Sequence, residues 1–254
     1  MIGALRTPQD DRWYRLALGG LIVGAWGALL LWGASPYAEL LGHGEGGAAP
    51  GNLTLRLPLF VVGWILMTVA MMLPGSLPLV NLFRRMILDR PERGRLLARL
   101  LLGYLAVWGL FGLVAYLADV GLHALVAWSA PGPLVIGAIA SAVALAAGVY
   151  QFTSLKHLCL ERCRSPLSFL VQHWRGRDGA GDALRLGARH GLFCLGCCWT
   201  LMLLMFAVAS ANPGWMLGLG ALMAAERASR WGQALTKPIG FALIAWAAIH
   251  LALL

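Results

Sequence analysis

The chain has 254 residues, of which 59% are hydrophobic and only 12% charged, with a formal net charge of +9 and a mean hydropathy of +0.73. A soluble domain carries roughly twice that share of charged residues, so the composition excludes an ordinary soluble protein and points to membrane lipid. The basic excess does not call for nucleic acid, because Lys and Arg gathered at a membrane rim meet anionic lipid instead.

Apolar runs follow one another at Leu16–Ala34, Leu57–Leu73, Leu100–Ala118, Pro133–Phe152, Leu192–Ala211, Trp215–Ala225 and Pro238–Leu254. Most are long enough to cross about 30 Å of hydrocarbon as helices; Trp215–Ala225 must borrow turns from its flanks or be re-entrant. The spacing predicts an all-α polytopic bundle of about seven spans, six if Trp215–Ala225 does not cross. An inside N-terminus and outside C-terminus leave only Arg56 of the 20 Lys and Arg residues on the outer face, as the positive-inside bias demands. A cleaved leader over the first 34 residues is the weaker alternative, given the length of the apolar run and the membranous chain behind it.

The first outer segment, "LLGHGEGGAAPGN", holds His43 and Glu45, which read as solvated loop residues rather than a cation site. In "MTVAMMLPGSLPLV", Met67–Val80, Pro74 and Pro78 are expected to stop or kink the second helix, since proline lacks an amide donor and crowds the preceding turn. Asp119 and His123 are expected to mark the outer turn before the fourth span. Residues 1–254 form a single membrane domain, with a cytoplasmic loop at residues 151–190. Within that loop Ser165 and Pro166 suit the start of a short interfacial helix that buries Leu167, Leu170, Val171 and Trp174 on one face. The pairs Gly20/Gly24 and Gly214/Gly218 offer close helix contacts, but pairs of this kind arise by chance among 32 glycines.

All the cysteines fall in one part of the chain: Cys159, Cys163, Cys194, Cys197 and Cys198. The topology puts them at the cytoplasmic side, where a reducing environment favours thiol or metal chemistry over structural disulfides. In "HGLFCLGCCWTLMLLM", His190, Cys194, Cys197 and Cys198 recur at helical spacing, and their face continues through Met202 and Met205. Met71 and Met72, with Met67 one turn deeper, reach the same leaflet from the second span. His157, Cys159 and Cys163 reach it from the fourth, and Glu226 from the sixth. The candidate metal set is therefore His190, Cys194, Cys197, Cys198, Cys159, Cys163, Met71, Met72 and Met202. Thiolate and thioether donors together favour Cu(I), whereas a Cys/His set also serves zinc, and copper is placed ahead of zinc. Cysteine and methionine also pack as plain apolar residues, and Glu226 beside Arg227 and Arg230 also reads as a rim ion pair.

The segments "YQFTSLKHLCLERCRSPLSF", "GARHGLFCLGCCWTLMLLMF" and "MTVAMMLPGSLPLV" resemble the DUF2182 family of predicted metal-binding integral membrane proteins. The resemblance covers roughly Leu57 to the C-terminus. The motif positions it implies include Met71, Met72, Lys156, Cys159, Cys163, His190, Cys194, Cys197, Cys198 and Met202. It also implies a metallochaperone that supplies copper, with a copper enzyme or a soluble copper chaperone as partner.

Two other readings stand beside that one. A thiol-redox membrane protein would use the Cys194/Cys197 pair at a helix start, and a metal transporter would need more polar groups at depth than these spans hold. No nucleotide-binding loop, acid–base dyad or nucleophilic triad stands out, and enzymatic activity is not expected. A bacterial inner membrane is the expected location.

Overall fold

The computed structural model describes residues 8–34, 53–128, 133–176, 178–208 and 213–254. The described residues form α1 (Pro8–Gly33), α2 (Leu53–Met86), α3 (Arg93–Trp128), α4 (Pro133–Tyr150), α5 (Ser154–Arg164), α6 (Pro166–His173), α7 (Gly179–Val208), α8 (Pro213–Ala228) and α9 (Gly232–Ala252). Five helical segments are long and apolar enough to cross a membrane: Arg12–Gly33, Leu57–Met86, Arg93–Leu122, Gly179–Met205 and Gly232–Ala252. A sixth arises if α4 and α5, bent by 66° at a short break, count as one span. The protein is thus an all-α, multi-spanning helix bundle. The count of seven exceeds this because α8, at 16 residues, is short for a crossing of about 20 residues.

Several helices run further than their apolar stretches. Asp119 and His123 do not mark a turn; α3 continues past both to Trp128. Neither proline ends α2, which carries Pro74 and Pro78 inside a 34-residue helix. Pro74 cannot donate to the carbonyl of Ala70, and the indole of Trp26 on α1 donates to that oxygen instead at 3.2 Å. A neighbouring helix thereby satisfies the group that proline frees, which is how helices in lipid tolerate proline.

α7 is the central column, packing against α3, α4, α5 and α8, while α2 packs against α1, α3, α6 and α8. The α3–α7 contact is the most extensive, and glycines explain it. A Cβ at Gly103 would overlap the carbonyl of Leu184, and one at Gly187 would overlap the carbonyl of Leu100. Gly191, one turn on, faces Tyr104 and Val107. Small residues four apart let two backbones touch, so the working pair is Gly187/Gly191. Gly20, Gly24 and Gly218 meet nothing within 4 Å.

The segment expected as a loop contains α5, α6 and the first turns of α7. Thr153 caps α5 by accepting the amide of Lys156 at 3.3 Å. Ser165 and Pro166 do start α6, although the Ser165 hydroxyl makes no capping bond. The buried face of α6 is Phe169 and Leu170, while Leu167 and Val171 point outward. Phe169 and Leu170 join Leu79, Val80, Phe83, Leu96, Leu100 and Leu186 in a small core at one end of the bundle. His43 and Glu45 lie outside the described residues.

Candidate functional site

The face of α7 that carries His190, Cys194, Cys197, Cys198 and Met202 turns inward, and all five side chains are buried. Their spacing of three and four residues keeps them on one side of the helix. Met71 and Met72 on α2 and Cys159 and Cys163 on α5 are also buried, and the cysteines are free thiols.

Sulfur atoms from two helices meet at one side chain that the sequence had left at the rim. Arg227, in the last turn of α8, is 6% exposed. Its Nε donates to the Met223 carbonyl at 3.2 Å, and its Nη1 to the Met72 carbonyl at 3.3 Å and to Cys194 Sγ at 3.1 Å. Its Nη2 lies 3.0 Å from Met72 Sδ. Gly75 makes this fit possible, because a Cβ there would lie 2.8 Å from Arg227 Cζ. One guanidinium therefore bridges a thioether on α2 and a thiol sulfur on α7.

Cys194 is the hub of the cluster. The Tyr104 hydroxyl on α3 lies 3.2 Å from its sulfur, and the buried Cys163 thiol on α5 sits close enough to Cys194 and Cys197 to interact with both. Cys197 Sγ donates to the Cys194 carbonyl at 3.1 Å and lies 3.1 Å from Cys198 Sγ. The structure thus brings together Cys163, Cys194, Cys197, Cys198 and Met72.

The other predicted residues sit apart. Cys159 rests against Gly196. Met71 lies beside Gly220 of α8. Met202 is fully buried one turn beyond Cys198. His190 Nε2 is 3.1 Å from Ser76 Oγ on α2, its ring stacks on Tyr104, and its Nδ1 has no hydrogen-bond partner among the described residues. Among the described residues, no group of three or more His, Cys, Asp or Glu side chains is arranged to hold a metal ion.

Beside Arg227, Glu226 makes a different contact. It does not form a rim pair with Arg227 or Arg230. Its Oε2 is 2.7 Å from Lys156 Nζ on α5, with the two side chains 1% and 0% exposed. Arg164 Nη1 donates to the Glu226 carbonyl at 2.6 Å. The charges in this pair cancel, and it ties α5, which carries Cys159 and Cys163, to the end of α8. Sequence reading missed Arg227, Tyr104 and Ser76 as parts of the site. Gly75 was the available signal, a residue without a side chain directly after Met-Met-Leu-Pro.

No curated protein and no solved structure matches the chain. The family that matches is PpoB2, described as a copper chaperone, over residues 61–250. That match corrects the assignment to DUF2182. The matched residues include α2 from Val61, all of α3 to α8, and nearly all of α9. The chain belongs to the PpoB2 copper chaperone family.

Proposed function

We propose that this protein takes Cu(I) as cargo on the sulfur cluster of Cys163, Cys194, Cys197, Cys198 and Met72, and hands it to a copper enzyme. Family membership supports copper as the cargo. The observation that carries the site is the meeting of a thiol from α7 and a thioether from α2 at one buried cation, with the buried Cys163 of α5 beside the α7 thiols. Soft donors of this kind suit Cu(I), which accepts two or three of them, better than zinc, which takes a closed tetrahedral set. Tyr104 contacts Cys194, and Ser76 lies between His190 and the Met72 carbonyl, which together form a polar wall beside the cluster. Cys159, Met71 and Met202 back the cluster from their own contacts. The site lies at the cytoplasmic leaflet of a bacterial inner membrane in this reading, with the N-terminus inside, as the distribution of Lys and Arg demands. A soluble copper chaperone on that side is a natural donor.

Element analysis of anaerobically purified full-length protein tests the reading. Wild type is expected to retain copper, and the Cys194→Ala/Cys197→Ala/Cys198→Ala variant to lose it. Unchanged copper in the triple variant contradicts the proposed ligands.

A further inference from the structure

We infer that Arg227 is a displaceable cation, which contacts the Met72 and Cys194 sulfurs and leaves them when Cu(I) bridges the two. The inference rests on the proposed copper site and adds a residue that determines how tightly that site holds its cargo.

The guanidinium touches the two sulfurs that come from different helices, Met72 Sδ at 3.0 Å and Cys194 Sγ at 3.1 Å. It therefore occupies the position from which a metal would bind both. Among the described residues, its hydrogen-bond partners are carbonyls and sulfurs, and none is a carboxylate. Nothing there holds it as an ion pair holds Lys156. Arg227 also sits one residue before the end of α8. In contact with α2 it lies over Gly75, in space that any larger residue would fill.

When Cu(I) enters, N–H···S contacts break and Cu–S bonds form, each thiol that becomes a ligand gives up its proton, and the copper keeps its oxidation state throughout. The guanidinium carries one positive charge out of the buried cluster as the Cu(I) carries one in, so the cation is exchanged rather than added. On release, client thiolates take the Cu(I), the freed thiolates regain their protons, and the guanidinium returns to the sulfurs. Arg227 thus competes with the cargo and weakens its retention, as a protein that hands its metal on requires.

The test is a competition titration of full-length protein in detergent with a chromophoric Cu(I) chelator, comparing wild type, Arg227→Gln and Gly75→Ala. Removing the competing guanidinium is expected to raise Cu(I) affinity about tenfold, the scale of one charge-assisted hydrogen bond, and to slow transfer to the chelator. Gly75→Ala keeps Arg227 but places a Cβ against the guanidinium, 2.8 Å from Cζ and 3.0 Å from Nη1. The flexible end of the arginine must yield, so affinity is expected to rise in the same direction. Gly75→Ala also guards against misfolding of Arg227→Gln, since alanine favours a helix interior over glycine. Unchanged or reduced affinity in Gly75→Ala, or in folded Arg227→Gln, overturns the displacement. Wild type that binds no Cu(I) instead overturns the proposed function on which it rests.

Discussion

Two adjacent residues at the end of α8 carry buried charge into opposite sides of the bundle. On the α5 side, Glu226 meets Lys156 at 2.7 Å, and opposite charges cancel. On the α2–α7 side, Arg227 meets a thiol, a thioether and carbonyls. The first arrangement is an ion pair whose worth lies in holding α5 against α8. The second is a cation among neutral or soft donors, which another soft cation can replace. The comparison teaches that burial of a charge does not by itself mark a functional site; the chemistry of its partners does.

The largest expected effect lies on the ion-paired side. Lys156→Met leaves Glu226 buried without its counter-charge, and removing one partner of a buried pair costs about 3–5 kcal/mol. Thermal unfolding in detergent is expected to show that loss, and Lys156→Met/Glu226→Leu to recover most of it. A single variant as stable as wild type breaks the contrast. An intermediate effect is expected where α3 meets α7, since that contact sets the reach of Tyr104 to Cys194. Gly187→Ala drives a Cβ into the Leu100 carbonyl and is expected to cost about 1–3 kcal/mol. Gly20→Ala, with open space around it, is expected to be neutral or slightly stabilising in the same melt. The smallest loss belongs to Tyr104→Phe, which removes one hydroxyl contact with Cys194. A loss of about 1 kcal/mol with copper still bound is expected. Loss of copper in that variant would make the phenol, rather than the guanidinium, the main partner of the hub sulfur.

The sulfur face of α7 was legible because helical periodicity survives whatever packs against it, so His190 through Met202 read as one inward stripe. The bundle was legible for the same reason, through its apolar runs. Arg227 was not, because a basic residue following an apolar run satisfies the positive-inside bias whether it faces water or a buried thiol. Its role depends on Gly75 and Cys194, which are distant in sequence and meet it only through the packing of α2 and α7. The continuation of α2 through Pro74 was hidden likewise, since it depends on the indole of Trp26 reaching Ala70 from another helix. For Cys159 and Met71, sequence depth placed them near the cluster, but direction about the helix axis set them against Gly196 and Gly220.

X-ray absorption at the copper edge of anaerobically loaded, full-length protein tests the central claim most directly. A first shell of sulfur scatterers, lost in the Cys194→Ala/Cys197→Ala/Cys198→Ala variant, is the predicted result. A shell of nitrogen or oxygen in wild type, or an unchanged sulfur shell in the variant, would contradict it.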